Sequence, residues 1–199
     1  RDTVPQEAWE QINSLYIYAR DHVPSRRGRF EFLRRVISGA QQIGGLLAGA
    51  MSRTAAYDFV RLGHYLERAD MTTRILDVRS ANLLSRNGQT QTQTQTQTTV
   101  AANGEQDPFE SIQWMSVLKS LSAYQVYRQQ VRVRVSGPDV LKFLLQDEYF
   151  PRAVAFCLRQ LEICLRKLPR NDAPLAALAG IKQKLNAAAV PELAHGGLH

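Results

Sequence analysis

The chain of 199 residues has very little cysteine, which limits its covalent and metal chemistry. Only Cys157 and Cys164 occur, seven positions apart. On one helix this spacing separates them by about 10 Å along the axis, too far for a disulfide. The spacing is not that of metal ligands either. We therefore interpret both cysteines as core residues, which is consistent with a reducing cytoplasm.

Motifs of catalysis and of nucleotide binding are also missing. The sequence contains no GxSxG, no phosphate loop with its lysine, no GxGxxG and no HExxH. The four histidines are scattered, and His195 and His199 fall in a tail, 190–199, that we expect to be frayed. These absences predict no metal site and no cofactor, and they leave catalytic residues unassigned.

No hydrophobic run is long enough to cross a bilayer. The most apolar stretch, VISGAQQIGGLLAGAM, has about 16 residues and includes two glutamines. The given sequence also contains no recognisable signal peptide. We expect a cytoplasmic protein with no membrane partner.

Basic residues, by contrast, are abundant: 20 Arg and 5 Lys outnumber 18 acidic residues and give a net charge of +7. Arginine suits the recognition of carboxylates and phosphates, although a solvated basic surface is the commoner case. The pI of about 9.7 and the cluster from Arg26 to Arg35 suggest nucleic-acid binding as one alternative. No helix-turn-helix is recognisable and few aromatics accompany the basic sites, so we do not expect nucleic acid as a partner.

Apolar residues recur at helical spacing along the chain, and the alternation typical of strands is scarce. The pattern predicts an all-α fold, a multi-helix bundle of about six to seven helices. We predict a single domain over 1–199, with helices over 5–22, 27–52, 53–86, 107–136, 138–146, 151–168 and 174–188. Residues 87–106 contain a Gln-Thr repeat without apolar side chains, which predicts one long disordered loop inside the domain.

The second predicted helix combines an apolar stripe with many small residues. We expect its stripe to be buried and its small residues to allow close approach of another helix. The stripe comprises Phe30, Leu33, Ile37, Ala40, Ile43 and Leu47, and the small residues include Gly39, Gly44, Gly45 and Gly49.

The third predicted helix carries unusually many charges in an apolar frame, YDFVRLGHYLERADMTTRILD over 57–77. At 100° per residue, Glu67, Asp70 and Arg74 share a stripe with Gly63, and Arg61, His64 and Arg68 lie on another side. Phe59, Val60, Leu66 and Met71 flank the first stripe. Glu67 and Arg68 therefore cannot pair with each other, whereas Asp70 and Arg74 stand at i,i+4 and are expected to pair.

Two interpretations of this charged helix remain open. The charges can form interhelical salt bridges in a bundle, which is the general behaviour of charged helical residues. Alternatively, Glu67, Asp70, Arg61 and Arg74 form a polar pocket for a charged ligand or the tail of a partner. In either case we expect Glu67 to be partly buried, because Phe59 and Leu66 share its face.

Three segments resemble the bacterial alpha-E domain family, named for an alpha-helical fold built around a Glu-Arg pair. They are FVRLGHYLERADMTTRILDV, DPFESIQWMSVLKSLSAYQVYR and FLLQDEYFPRAVAFCLRQLE, and the likeness covers roughly 1–168. The pair corresponds to Glu67-Arg68. Because the family usually carries the segment twice in a longer protein, we expect this chain to be a C-terminal portion with a single copy.

The resemblance implies a non-catalytic helper or binding subunit of a bacterial peptide synthesis or modification system. Alpha-E domains are associated with circularly permuted ATP-grasp ligases, transglutaminase-like proteins and peptidases. The resemblance selects Glu67 and Arg68 as motif residues, and the helical wheel adds Arg61, Asp70 and Arg74 as binding candidates. An enzyme that uses Glu67 as acid or base is the alternative, although Arg74 favours a neutralised carboxylate at neighbouring Asp70. A homo-oligomer is also left open.

Overall fold

The part of the chain that the structure describes forms eight α-helices and no strand. The structure is a computed structural model that describes residues 3–22, 25–90, 108–131 and 134–188, without the side chains of 79–90 and 108–109. This confirms the predicted all-α fold. The helices are α1 (Gln6–Asp21), α2 (Arg29–Ala50), α3 (Ala55–Thr90), α4 (Pro108–Ser120), α5 (Tyr124–Gln130), α6 (Gly137–Gln146), α7 (Val154–Leu165) and α8 (Asp172–Ala187).

The chain divides into two compact units, Arg1–Asp58 and Phe59–His199. We refer to them as unit 1 and unit 2, and the prediction of a single domain stays a prediction. Helix α3 continues to Thr90, four residues beyond its predicted end. The rest of the predicted Gln-Thr loop and the predicted frayed tail lie outside the described residues.

A break in the predicted fourth helix explains why eight helices are described rather than seven. Ser122 has φ of 53°, in the left-handed region that a helix cannot continue through. The amide of Ser122 donates to Lys119 O at 3.0 Å, and that of Ala123 donates to Leu118 O at 2.7 Å. These two bonds are the pair of a Schellman motif, which ends α4. Glycine usually occupies this position, so the serine concealed the break in the sequence.

The hydrophobic core of unit 2 forms where α6 packs against α4 and α7. Helix α6 starts at a cap in which the Ser136 hydroxyl accepts from the Asp139 amide at 3.3 Å. The apolar residues of α6 are buried against α4 and α7, which pack on it. The fully buried side chains of this core include Leu76, Leu118, Tyr127, Val140, Leu141 and Leu144.

Helix α7 buries the apolar face that its amphipathic sequence pattern predicts. Cys157 and Cys164 are both fully buried, as expected for core residues. On the outer side of the helix Glu162 accepts from Lys182 Nζ at 2.7 Å, which links α7 to α8. The pKa of Glu162 is lowered by this bond and by the bond from Arg166. The helix therefore supplies the core and an ionic link at its surface.

In unit 1 the predicted buried stripe of α2 is wrong. No residue of α2 is buried, and Phe30 is 77% exposed. Only Ile43 and Leu47 of the predicted stripe are half-buried, and the other half-buried positions of α2 are Phe32, Val36, Gly39 and Leu46. Within unit 1 this helix has only α1 to pack against, so a stripe as wide as the predicted one cannot be covered.

The predicted close approach at the small residues of α2 is confirmed only at Gly39. A Cβ atom there would lie 2.9 Å from Leu15 Cδ1, so alanine would require the end of the Leu15 side chain to shift. A Cβ atom at Gly44, Gly45 or Gly49 would meet nothing within 4 Å. The arginines between Arg26 and Arg35 are exposed, as expected for a solvated face.

None of the described helices is long and apolar enough to cross a membrane.

Candidate functional site

One side of α3, which we call the inner face, packs on α7 and on the turn that precedes it. Arg61 Nη2 donates to Gln160 Oε1 at 2.7 Å. The rings of Tyr65 and Phe156 meet edge to face, with centroids 6.1 Å apart. Two turns further on, the Thr72 hydroxyl donates to the backbone oxygen of Arg152 at 2.9 Å, and Thr72 is buried. The three contacts lie four and seven residues apart along α3, as expected for positions that share a helix face.

Arg68 lies at the centre of the inner face and is half-buried. Its Nη1 donates to Pro151 O at 3.1 Å, and its Nη2 contacts the Nε2 atom of His64. Its guanidinium also lies over the Tyr65 ring, 5.9 Å from the centroid. The Cys157 thiol donates to the same Pro151 oxygen at 3.6 Å. Arg68 thus ties α3 to the turn before α7 through a backbone carbonyl.

Burial and like charge act together on this group of side chains. Burial lowers the pKa of Arg68, and the nearby charge of Arg152 lowers it further, against opposing effects from Cys157 and Tyr65. The pKa of His64 is also lowered, first by burial and then by the charge of Arg68. Burial raises the pKa of the Cys157 thiol, and Arg68 opposes that shift. No carboxylate among the described residues forms an ion pair with Arg68.

The opposite side of α3, which we call the outer face, is not covered by any residue of unit 2. Glu67, Asp70 and Arg74 are all exposed there. Arg74 Nε lies 2.8 Å from Asp70 Oδ2, which confirms the predicted i,i+4 pair. Large apolar side chains surround these charges and are exposed as well: Phe59, Val60, Leu66 and Met71. The outer face therefore combines one ion pair and a further carboxylate with an apolar surround.

A comparison with family models gives a match over residues 1–199 to a family described as "Alpha-E: A predicted alpha-helical domain with a conserved ER motif". The chain belongs to the Alpha-E family. Neither the curated proteins nor the solved structures contain a significant match to the chain. Glu67-Arg68 is the only Glu-Arg dipeptide in the sequence, so we assign the Alpha-E motif to this pair on α3.

The two residues of the Alpha-E motif lie on different faces of the helix. Arg68 is on the inner face and makes the contacts described above, whereas Glu67 is on the outer face. The expectation that Glu67 is partly buried is wrong, because no part of unit 2 packs over the outer face. The helical-wheel prediction that the pair points in different directions is consistent with this arrangement.

The remaining predicted site residues are divided in the same way. Asp70 and Arg74 lie together on the outer face, and Arg61 lies on the inner face against α7. The structure therefore does not bring Arg61 into one group with Glu67, Asp70 and Arg74. Salt bridges between helices were one expectation for this charged helix. Arg68 and Thr72 instead donate to backbone carbonyls of the turn before α7.

Sequence reasoning missed the partners of Arg68. Pro151 and Arg152 lie 83 and 80 positions, respectively, from the α3 residues they contact. The helical wheel placed His64 beside Arg68, but nothing in the sequence indicates that the turn at Pro151 meets both. Among the described residues, no group of three or more His, Cys, Asp or Glu side chains is placed to hold a metal ion.

Proposed function

We propose that this Alpha-E chain is a non-catalytic helper or binding subunit of a bacterial peptide synthesis or modification system. Its partners in this proposal are a circularly permuted ATP-grasp ligase and a transglutaminase-like protein. Membership of the Alpha-E family supports the assignment through the associations of that family. We propose that the protein acts in the cytoplasm and that the outer face of α3 is its binding surface.

The observation that carries this proposal is the exposure of apolar residues around the motif carboxylate. Leu66 is 63% exposed and Met71 is 48% exposed, and both lie next to Glu67 in the helix. Contiguous exposed apolar surface is typical of protein interaction sites. Because no described residue forms an ion pair with Glu67, its carboxylate is available to a basic group of a partner. Such a charged contact would add orientation to the apolar contact.

The arrangement supports binding better than acid-base catalysis. A general acid that works near neutral pH is usually buried or placed beside a like charge, because either condition favours its protonated form. Glu67 is exposed, and the nearest carboxylate in its stripe, Asp70, is already paired with Arg74. Neither side chain therefore has the surroundings that acid-base catalysis requires.

Co-purification with the ATP-grasp ligase encoded in the same genome tests the proposal. The full chain is compared with Glu67→Gln and Leu66→Ala, and Glu148→Gln serves as the matched control because Glu148 is an exposed carboxylate outside α3. We expect each outer-face substitution to weaken ligase binding by about tenfold, which corresponds to about 1.4 kcal/mol. The control should bind as the unsubstituted chain does.

Two results would contradict the proposal. One is ligase binding that is the same in all four proteins, which would place the interaction elsewhere. The other is unchanged ligase binding with loss of product formation in Glu67→Gln alone, which would favour the enzyme alternative. Light scattering on the same samples reports whether the chain binds as a monomer or as a homo-oligomer.

A further inference from the structure

Three basic residues lie where the inner face of α3 meets the turn before α7. They are Arg68 and His64 of α3 and Arg152 of the turn, and no carboxylate of the described residues forms an ion pair with any of them. We propose that these three residues form a binding site for a small oxyanion, the carboxylate or phosphate group of a ligand. This site lies on the opposite side of α3 from the surface proposed to bind the ligase.

Arg68 has hydrogen-bond donors to spare. A guanidinium carries five N–H groups in a planar fork that matches the oxygens of a carboxylate or phosphate. The contacts with Pro151 O and His64 Nε2 use one N–H on each terminal nitrogen. These contacts also fix the plane of the fork, and the Tyr65 ring lies against it. Arg68 is therefore oriented in advance, which lowers the entropic cost of binding.

The charge of Arg68 is half-buried without a counter-ion. Burial of a charge is unfavourable unless an opposite charge or sufficient hydrogen bonds compensate it. The Pro151 carbonyl and the Tyr65 ring compensate the charge only in part, and Arg152 adds a second positive charge nearby. A bound oxyanion would supply the missing negative charge and would reduce the repulsion between the two arginines.

The backbone of Arg152 is held in place by the inner face itself. Its carbonyl accepts from the Thr72 hydroxyl, which is 1% exposed, while its own side chain is exposed. Solvent and ligands can therefore reach the Arg152 guanidinium. Arg152 directly follows Pro151, whose carbonyl accepts from Arg68 Nη1, so both arginines belong to the contact between α3 and this turn.

His64 completes the site as a neutral donor. Because its Nε2 accepts from the Arg68 guanidinium, the proton of the neutral ring resides on Nδ1. His64 is exposed, so this N–H can reach a ligand at the edge of the site. Glu67 acts on the charge of His64 but forms no ion pair with it. The site thus presents donors and positive charge, the complement of an oxyanion.

The test is a titration of the full chain at constant ionic strength, followed by NMR or calorimetry. Inorganic phosphate is one probe, and an acetylated dipeptide with a free terminal carboxylate is the other, with the amidated dipeptide as its control. Constant ionic strength matters because the net charge of +7 attracts anions without any site. Arg152→Gln and Arg68→Gln remove the proposed donors. Arg74→Gln is the matched control, an exposed α3 arginine that already has its own carboxylate.

We expect Arg152→Gln and Arg68→Gln to weaken oxyanion binding by about tenfold or more, as for loss of a charge-assisted hydrogen bond. Arg74→Gln should change it by less than about twofold. Binding of phosphate alone, or of the carboxylate alone, supports the site and identifies its ligand. Absence of binding by both probes overturns the proposal, as does an equal loss in all three variants.

Arg152→Gln decides the matter if Arg68→Gln does not fold, because the Arg152 side chain is exposed and its carbonyl bond is retained. The result is also independent of the ligase experiment. That experiment alters Glu67 and Leu66 on the outer face, so either proposal can fail while the other stands.

Discussion

The inner and outer faces of α3 differ in what their side chains contact, although they belong to one continuous helix. On the inner face, Arg68 and Thr72 donate to backbone carbonyls of the turn before α7. On the outer face, Asp70 and Arg74 pair only with each other, and Leu66 is largely exposed. Stability should therefore depend on the inner face, and recognition of a protein partner on the outer face.

This difference shows how a two-residue motif can serve two purposes. Adjacent residues of a helix point about 100° apart, so the Glu and Arg of one dipeptide reach different surroundings. Arg68 meets the rest of unit 2, and Glu67 faces away from it. A Glu-Arg dipeptide on a helix therefore holds its two side chains on different faces at a fixed spacing.

The largest effect should come from the same leucine truncation made on each face. Leu76 is fully buried in the core of unit 2, so Leu76→Ala should lower the free energy of unfolding by about 2–5 kcal/mol. Leu66→Ala should change it by less than about 0.5 kcal/mol, because Leu66 is exposed. Urea denaturation of both variants measures the difference. A similar loss in both would show that the outer face is packed.

A smaller effect is expected from removing one hydroxyl group on α3. Thr72→Val keeps the shape of the buried side chain but removes the donor to the Arg152 carbonyl, at a cost of about 1–2 kcal/mol. Thr73→Val is the control, since the Thr73 hydroxyl donates only to the Asp70 carbonyl of its own helix. Thermal unfolding measures the difference, and Thr72→Val should have the lower midpoint of the two variants. Equal midpoints would mean that the Thr72 bond does not hold the turn in place.

The smallest effect concerns the pH dependence of stability through His64. Its pKa in the folded state is lowered from 6.5, by burial, Arg68 and Arg152, with Glu67 opposing. The unfolded chain therefore takes up a proton more readily, and the free energy of unfolding falls as pH drops below about 6.5. His64→Gln should make the decline between pH 7.5 and 5.5 slightly shallower, and only slightly because His64 is exposed. A steeper decline in the variant would contradict the direction of the pKa shift.

Helix positions in unit 2 could be predicted from the sequence because its apolar residues follow the helical period closely. The pattern of α7 is one example, in which Val154, Cys157, Leu158 and Leu161 are all buried as predicted. The break after α4 could not be predicted, since it depends on a serine with positive φ. The stripe of α2 was misjudged for another reason, because periodicity does not tell how many neighbours a helix has.

The candidate site was predicted only as far as a helical wheel allows. The wheel separated Glu67 from Arg68 and paired Asp70 with Arg74, as the structure has them. It could not reveal which face the rest of the fold covers, and for this reason Glu67 was expected to be partly buried. The contacts to Pro151 and Arg152 depend on tertiary structure and have no local signal in the sequence.

The central claim, that the two motif residues act on separate faces, is tested most directly by a double-mutant cycle on unfolding. Arg68→Gln should cost about 1–2 kcal/mol, since it removes a charged donor from the Pro151 carbonyl. Glu67→Gln should cost less than about 0.5 kcal/mol, because its carboxylate is exposed. The double variant should equal the sum of the two within about 0.5 kcal/mol. A coupling above about 1 kcal/mol would show that Glu67 and Arg68 act as one pair, and would contradict the account.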